Sequence, residues 1–311
     1  MATSLAYSNS MDVTDAANFI PEVWSDDVIA AYKANLVLAG LVSKINHKGK
    51  KGDTIHIPTP VRGSASAKAA NNVVTLVAAS ASVVDVAIDK HYEYSFVVED
   101  IVETQGLSSL RRFYTDDAGF ALATQVDVDI RNLAATWNGG TAYSGAVIGS
   151  DGSTAYSGTG AGNGAALTDA GIRRVIQTFD DANVPGRDRV LVIPPVEKRR
   201  LLGVTRFTEQ AFVGEAGAGN SIRNGFVGDL YGVEVYVSTN LATVESLNSV
   251  PFRPCLMFQK QSLVLAEQMG VRTQAQYKQE ALGTLVTADR LYGVKTLRST
   301  AGVMAIMVPS A

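Results

Sequence analysis

The residue types that most often carry chemistry are few in this chain, and their spacing does not favour it. The three histidines, His47, His56 and His91, do not form the His-x₃-His pairs that bind a metal ion on a helix. Asp127 and Asp129 could together hold a divalent cation, but residues i and i+2 of a helix point in different directions. We therefore expect these two carboxylates to lie on a solvated helix face, and we predict no metal site.

Motifs for nucleophilic catalysis and phosphate binding are also missing from the sequence. The stretches "SGTGAGNG" and "GEAGAGNS" resemble phosphate loops in composition only, because neither matches G-x-G-x-x-G and no lysine follows them. No G-x-S-x-G nucleophile elbow occurs. Cys255 lies in an apolar run and is predicted to be a core thiol rather than a nucleophile. The sequence therefore predicts no catalytic residue and no cofactor.

One charged corner, "DDANVPGRDRVLVIPP" at 180–195, leaves two interpretations open. Its carboxylates follow a predicted helix, where they face the negative end of the helix dipole, and a Pro-Gly turn leads into a short apolar strand. An α+β enzyme could use Asp180, Asp181 and Arg187 there. The alternative is an architectural corner whose charges contact other subunits, and it is favoured because no nucleophile, base or phosphate cradle accompanies the turn. The charged residues concerned are Asp180, Asp181, Arg187, Asp188 and Arg189.

Composition excludes several classes of protein. The 311 residues are 46% hydrophobic and 18% charged, which is typical of a globular chain. The formal net charge of −3 gives no general attraction to nucleic acid or to an anionic membrane. A single cysteine excludes an intrachain disulfide framework. No apolar run reaches the roughly 20 residues of a membrane helix, and "MATSLAYSNS" is not a signal peptide, so we expect a soluble cytosolic product.

The first hundred residues predict two extended features. The stretch "IPEVWSDDVIAAYKANLVLAGLV" predicts a helix whose apolar stripe needs a surface that a neighbouring chain can provide: Trp24, Val28, Tyr32 and Leu36. A basic group follows that could contact phosphate or, at least as well, form salt bridges between subunits with the acidic N-terminal segment: Lys44, Lys48, Lys50 and Lys51. Residues 53–90 predict a long two-stranded arm with a mobile tip, and its second strand is predicted to run unbroken over 84–96. Such a hairpin is marginal alone and is expected to lean on another subunit.

The rest of the chain predicts an α+β fold. A helix of about 30 residues spans 107–137, and the Gly-rich stretch 138–164 is predicted to be a surface insertion or loop. A second unit begins near residue 165 with a helix that Thr168 caps, followed by the corner, the strand "RVLVI" and the short helix "PVEKRRLLG". Residues 272–308 predict long strands that are broken at three glycines: Gly283, Gly293 and Gly302.

The order of these parts resembles the major capsid proteins of tailed bacteriophages, which have the Hong Kong 97-type (HK97-like) capsid fold. The segments that carry the resemblance run from about Phe19 to the C-terminus: "FIPEVWSDDVIAAYKANLVLAGLV", "KGDTIHIPTP", "VVDVAIDKHYEYSFVVEDIVETQ", "GLSSLRRFYTDDAGFALATQVDVDIRNLAATW", "ALTDAGIRRVIQTFDDANVPGRDRVLVIPP", "FVGDLYGVEVYVS" and "DRLYGVKTLRSTAGVMAI". The resemblance implies an N-terminal arm at 1–45, an extended loop (E-loop) at 46–96, a peripheral domain at 97–164 with its spine helix at 107–137, an axial domain with a central sheet at 165–265, and returning peripheral strands at 266–311.

The resemblance further implies a structural protein without enzyme activity that forms hexamers and pentamers around double-stranded DNA, which it contacts without sequence specificity. A separate scaffolding protein is expected, because no long charged helical segment precedes the arm; a portal and decoration proteins are further expected partners. The shell would be assembled in the host bacterial cytoplasm and reside in the virion. An encapsulin-type nanocompartment shell is the alternative with the same fold. Candidate subunit-interface residues are Trp24, Tyr32, Lys48, Lys50, Lys51, Arg62, Lys68, Asp180, Asp181, Arg187, Asp188 and Arg189.

Overall fold

The structure is a computed structural model, and it describes eleven ranges of the chain: 36–48, 51–60, 65–74, 81–105, 110–139, 147–149, 167–203, 229–241, 245–247, 250–298 and 302–309. The helices are α1 (Leu38–Leu41), α2 (Asp100–Gln105), α3 (Leu110–Asn132), α4 (Asp169–Asp181) and α5 (Pro195–Leu201). The strands are β1 (Ser43–Asn46), β2 (Thr54–Pro60), β3 (Ala81–Ala87), β4 (Lys90–Glu99), β5 (Val147–Gly149), β6 (Arg189–Ile193), β7 (Asp229–Leu230), β8 (Val233–Val237), β9 (Glu245–Leu247), β10 (Val250–Gln259), β11 (Leu263–Lys278), β12 (Gly283–Thr296) and β13 (Val303–Pro309). None of the helices in these ranges is both long and apolar enough to cross a membrane.

The long helix α3 packs along one face of a four-stranded sheet, called here the first sheet. The strand order is β1-β11-β12-β4, with β1 and β11 parallel and the other pairs antiparallel. Ala118 and Leu122 of α3 contact Ala288 of β12, and Val126 and Ile130 enter the main core one and two turns further on. The helix of 23 residues spans about 35 Å, and a 3₁₀ segment, Leu133–Gly139, continues it. The described part of the predicted helix 107–137 is therefore helical, although its last turns tighten.

The second sheet lies against α4 and α5. Its strand order is β5-β13-β10-β6-β8-β7, and β9 pairs with β10. The predicted N-cap of α4 is confirmed, because the hydroxyl of Thr168 accepts a hydrogen bond from the backbone N–H of Gly171 at 3.3 Å. Every residue of β6 is buried, as expected for a strand covered on both faces. Cys255 is fully buried in the core beneath α4, so the prediction of a core thiol is confirmed.

The predicted hairpin is present, but its second strand is shorter than the sequence indicated. β2 and β3 pair antiparallel from Thr54 opposite Ala87 to Pro60 opposite Ala81. The predicted single strand over 84–96 is wrong, since the chain leaves β2 after Ala87 and pairs with β12 as β4. The apolar face of the hairpin covers the face of the first sheet opposite α3, in a cluster that includes Ile55, Ile57, Val86, Ile88, Val264, Ala266 and Leu291.

The predicted break at Gly293 is also wrong, because this residue lies within β12. The end of the hairpin crosses β12 so closely that a Cβ atom at Gly293 would lie 2.1 Å from the carbonyl oxygen of Ala87. Glycine is needed there for the close approach of two backbones rather than for a turn. Gly302, in contrast, has a φ of +79° and does precede β13, as a turn glycine should.

The C-terminal strands divide between the two sheets, whereas the sequence grouped residues 266–311 in one unit. β11 and β12 lie in the first sheet, and β13 pairs with β10 in the second. Within the Gly-rich stretch 138–164, Val147–Gly149 forms the edge strand β5 beside β13, so this part is not a loop. The chain therefore passes from the second sheet to the first between β10 and β11, and it returns to the second sheet between β12 and β13.

Candidate functional site

The charged corner after α4 is locked by one arginine. The guanidinium of Arg189 donates to the carboxylate of Asp180 at 2.7 Å, to the carbonyl of Val184 at 2.6 Å and to that of Pro185 at 3.0 Å. It also lies 5.6 Å from the ring centroid of Phe179. Only 5% of Arg189 is exposed. This cation offsets the unfavourable position of a carboxylate at the helix C-terminus.

The candidate contacts at this corner thus differ in what they can do. Arg189 is buried, and its three hydrogen bonds are all made to its own chain, so it lies in the interior of the corner rather than at a surface. Asp180 forms an ion pair with Arg189, so Asp180 is poorly placed for the acid–base role that the enzyme interpretation would give it. Asp181, Arg187 and Asp188 are exposed and stay candidate subunit contacts.

A second site joins the N-terminal segment to the long helix. The carboxylate of Asp127 accepts hydrogen bonds from the backbone N–H groups of Val37 at 3.0 Å, Leu38 at 3.3 Å and Ala39 at 2.9 Å. The side-chain amide of Asn240 approaches the same carboxylate at 3.5 Å. Asp127 is fully buried, so the prediction that it lies on a solvated helix face is wrong. We call this contact the arm joint.

The arm joint caps the start of α1. The backbone N–H groups of Val37, Leu38 and Ala39 donate to Asp127, as the first N–H groups of a helix do to an N-cap side chain, and α1 begins at Leu38. Of the helix that the sequence predicts over 20–42, the described residues contain Leu38–Leu41, and the part before residue 36 lies outside them.

Asp129 was also predicted to be solvated and is instead buried. It accepts a hydrogen bond from the hydroxyl of Tyr292 at 2.6 Å, and the ammonium of Lys90 lies 3.6 Å away. Burial, followed by the hydrogen bond to Asp129, raises the pKa of Tyr292 far above its usual range. Asp127 and Asp129 do point in different directions, as their spacing predicts, and each holds a different element against α3.

Sequence reasoning missed Arg131 and Asn240 as parts of the arm joint. Arg131 is buried and donates to the backbone carbonyl of Asn240 at 3.2 Å. A signal was present, because Asp127 and Arg131 are four residues apart and flank the apolar positions Val126 and Ile130. Charged residues at that spacing beside a buried stripe indicate a polar contact at the edge of a core.

The charged side chains of the first sheet form two further groups. Asp289 accepts two hydrogen bonds from Arg272, at 2.8 and 3.0 Å, and lies 3.2 Å from His91. The Arg272 guanidinium lowers the pKa of Asp289 below its ordinary value of 3.8, and His91 adds to this against the opposing effect of burial. In the second group the candidate interface residue Lys48 pairs with Glu267 of its own chain at 3.2 Å.

The remaining candidate residues divide between exposed positions and positions outside the described ranges. Lys51 and Lys68 are exposed. Trp24, Tyr32, Lys50 and Arg62 lie outside the described residues. Near Lys68 on the tip side of the hairpin, Val73 is 90% exposed and Val74 is 61% exposed. Two adjacent apolar side chains are therefore exposed to solvent on this side of the hairpin.

The described ranges contain no group of three or more His, Cys, Asp or Glu side chains that could hold a metal ion. His56 pairs with Asp85 across the hairpin at 2.6 Å, and both side chains are exposed. Burial raises the pKa of the Cys255 thiol well above its usual value, which disfavours the reactive thiolate. The buried polar groups described above, Asp127, Asp129 and Arg189, each hold one element of the chain against another.

Comparison with solved structures shows which proteins share this fold. No protein-family model matches the chain, and no curated protein does. A solved structure of Mycobacterium phage Che8 is 26% identical with a TM-score of 0.72, and the match covers 93% of this chain and 97% of that chain. The capsid of cyanophage P-SCSP1u is 18% identical with a TM-score of 0.73, covering 94% of each chain. The capsid of cyanophage Pam1 is 16% identical with a TM-score of 0.72, covering 100% of each. The predicted resemblance is thereby confirmed, and the chain has the fold of the capsid proteins of tailed bacteriophages.

Proposed function

We propose that this chain is the major capsid protein of a tailed bacteriophage and assembles with copies of itself into the icosahedral shell that encloses the double-stranded DNA genome. The observation that carries the proposal is the extent of the match: chains of phage capsids align with this one from end to end in both directions. A partial match would be compatible with a shared domain in a different protein, whereas coverage of both whole chains indicates the same architecture.

The parts of the chain support an HK97-type assignment. The hairpin β2–β3 would be the extended loop, α3 the spine helix and the first sheet the core of the peripheral domain. The second sheet with α4 and α5 would be the axial domain. In this assignment β13 belongs to the axial domain, because it pairs with β10 there.

The surface chemistry agrees with a role in assembly. The apolar face of the hairpin packs on the first sheet of its own chain, whereas its tip side carries Val73 and Val74 in solvent. Full burial of one valine contributes about 1.5–3 kcal/mol, so a partner that covers both gains appreciably from this contact alone. We propose hexamers and pentamers as the capsomers, with a separate scaffolding protein as an assembly partner.

Electron microscopy of the purified chain tests the proposal directly. The chain, alone or with its scaffolding partner, should form closed shells or capsomer rings in negative stain. Only compact monomers across a range of salt and protein concentrations would contradict the function.

The hairpin gives a sharper test. Deletion of residues 62–72 should leave a monomer with unchanged secondary structure by circular dichroism and should abolish shells. Val73→Ser/Val74→Ser is the milder variant, and Arg199→Ala, a change at an exposed position of α5, serves as the control. Wild-type shell yield from the deletion would contradict the role of the hairpin.

A further inference from the structure

The outer edge of β4 is a free strand edge of the first sheet. β4 pairs with β12 over Lys90–Glu99 in an unbroken register, and within the described ranges no strand pairs with its other side. Natural proteins usually protect such an edge with a proline, a bulge, a short strand or a covering element. β4 is 10 residues long and contains neither a proline nor a bulge, so in the described chain this edge is open to pairing.

Two hydrogen bonds at the ends of β12 show which backbone groups of β4 point outward. The N–H of Asp100 donates to the carbonyl of Leu282 at 3.0 Å, on the β4 side of β12. The N–H of Leu297 donates to the carbonyl of Ser262 at 2.8 Å, on the β11 side. Because backbone groups alternate between the two sides of a strand, the even-numbered residues of β4 bond to β12. The odd-numbered residues therefore point their N–H and C=O groups away from the sheet: His91, Glu93, Ser95, Val97 and Glu99.

An aromatic strip on the α3 side of the sheet reaches this edge. Tyr92, Tyr94 and Phe96 of β4 are half-buried. The ring of Phe96 lies 5.5 Å from that of Tyr114 in α3, which is 40% exposed. The surface that these rings leave in solvent is at the open edge, where another chain can cover it.

We propose that this edge pairs antiparallel with the same edge of a second copy, about a two-fold axis at Ser95, and that the contact joins one capsomer to the next. Neighbours within a ring of five or six copies contact each other head to tail. Pairing of two identical edges requires a two-fold axis instead, so it links subunits of different rings. The inference rests on the proposed function, and it names a surface through which rings join into a shell.

The residues of β4 complement each other when Ser95 lies opposite Ser95 of the partner subunit. About ten backbone hydrogen bonds form, two for each pair of odd-numbered residues. Aromatic rings meet across the axis on the α3 side, and histidine meets a carboxylate on the other face. With one residue from each copy, these cross-strand pairs are Tyr94 with Phe96, Tyr92 with Val98 and His91 with Glu99.

Charge favours this register over its neighbours. A shift by two residues in one direction sets Glu93 opposite the partner's Glu99, and the opposite shift sets Asp89 opposite the partner's Glu99. Like charges directly opposite each other destabilise a strand pair. A shift by a single residue is excluded, because it places outward-pointing backbone groups opposite groups that already bond to β12.

The position of α3 leaves room for the second copy. Ala118 and Leu122 of α3 contact Ala288 of β12, and Tyr92 and Tyr94 of β4 pack against the same cluster. α3 therefore lies above the space between β12 and β4, half a strand spacing inside β4, and the proposed axis lies half a spacing outside it. With strands about 4.8 Å apart, the two copies of α3 lie about 10 Å apart, within the range of packed helices.

Oxidative cross-linking at the axis tests the pairing. Opposite Cα atoms in a hydrogen-bonded antiparallel pair are about 5.5 Å apart, within the roughly 4.4–6.8 Å that a disulfide spans. Ser95→Cys chains, assembled alone or with the scaffolding partner and oxidised with copper phenanthroline, should give a disulfide-linked dimer on a non-reducing gel.

Thr287→Cys is the matched control for the cross-link. Thr287 is the β12 neighbour of Ser95, with its hydroxyl 3.2 Å from that of Ser95, but it lies one strand further from the axis. Its two copies would be about 14 Å apart, so this variant should give roughly tenfold less dimer. Both variants keep the buried Cys255, which therefore does not account for a difference between them.

Proline at position 95 tests the role of the edge in assembly. The N–H of Ser95 points outward, so Ser95→Pro removes a donor from the open edge and none from the β4–β12 pairing. The variant should form rings with native secondary structure by circular dichroism, while its shell yield falls roughly tenfold. Ser95→Ala removes the same hydroxyl contacts to Glu93 and Thr287 but keeps the N–H, and it should form shells normally. Shells of Ser95→Pro at the wild-type yield would overturn the proposal.

The cross-link separates this proposal from the proposed function, and it decides the matter if the proline variant fails to fold. Shells in negative stain whose Ser95→Cys chains give no more dimer than Thr287→Cys would overturn the edge pairing and leave the function standing. A Ser95→Cys dimer in a chain that forms neither rings nor shells would support the edge pairing and contradict the function.

Discussion

Replacement of Asp127 by alanine tests whether one buried carboxylate holds the arm joint. The change removes the acceptor of three backbone N–H groups, of which those of Val37 and Leu38 are buried. A hydrogen bond to a charged group contributes about 1.5–3 kcal/mol, and an ordinary N-cap contributes about 1 kcal/mol. Because such contributions are not additive and water can satisfy the third donor, we expect a local loss of about 3 kcal/mol.

Hydrogen exchange at residues 36–42 is the assay, because the arm joint can open without unfolding of the whole chain. A loss of about 3 kcal/mol corresponds to roughly 100-fold faster exchange of the α1 amides. Asp127→Asn retains one acceptor oxygen and should show roughly 10-fold faster exchange. Asp181→Ala removes an exposed carboxylate and should leave α1 unchanged.

Two results would refute the reasoning about the arm joint. Unchanged protection of α1 in Asp127→Ala would show that the three hydrogen bonds have no net effect on the stability of this segment. Equal acceleration across the second sheet would show that the loss is global, so that Asp127 supports the fold as a whole rather than the arm. If the joint also sets the direction of the arm, Asp127→Ala monomers should be folded and should form fewer shells.

Three further predictions concern backbone contact, acid stability and thiol reactivity. Gly293→Ala places a methyl group 2.1 Å from a backbone carbonyl oxygen and should lower the free energy of unfolding in urea by more than about 3 kcal/mol. The methyl group of the control, Gly119→Ala in α3, meets nothing within 4 Å and should raise that free energy by about 0.5–1 kcal/mol. Equal effects of the two substitutions would refute the close approach. Because Arg272 lowers the pKa of Asp289, this carboxylate stabilises the native state above its ordinary pKa of 3.8 and loses that effect as the pH falls through the lowered value. The difference in stability between wild type and Asp289→Asn should therefore shrink below about pH 4. A difference that stays constant with pH would contradict this prediction. The buried Cys255 thiol, whose pKa is raised, should react with a thiol reagent only after unfolding, and rapid labelling of the native chain would contradict its burial.

The second sheet was the more predictable half of the fold because its signals are local. The Thr168 cap, the Pro-Gly turn and the proline before α5 each specify backbone conformation within a few residues. The break between β3 and β4 was not predictable in this way. Apolar and polar residues alternate without interruption from Val84 to Phe96, so the sequence shows no break. The strand divides because its first half pairs with β2, more than 25 residues earlier, and its second half pairs with β12, about 190 residues later.

The misassigned carboxylates show the same limit at the level of side chains. Asp127 and Asp129 look like a solvated pair, because their spacing in the sequence does not show which distant groups they contact. Their partners are the backbone of residues 37–39 and the hydroxyl of Tyr292, about 90 residues before and 163 after them. The prediction for Arg189 failed for a related reason. The sequence does not show that the carbonyl groups of Val184 and Pro185 turn towards its guanidinium and hold it in the interior.

The positions of these buried charges bear on how a thin shell can be both rigid and adjustable. Asp127 fixes the base of the arm, Arg189 fixes the corner, and the pairs Arg272–Asp289 and Arg290–Glu267 join the two central strands of the first sheet, β11 and β12. These polar contacts fix the internal geometry of the chain. The two valines near the hairpin tip are apolar and exposed to neighbours. Hydrophobic contacts are not directional. A subunit with fixed internal geometry and outer contacts of this kind can meet its neighbours at slightly different angles, as the proposed pentamers and hexamers would require.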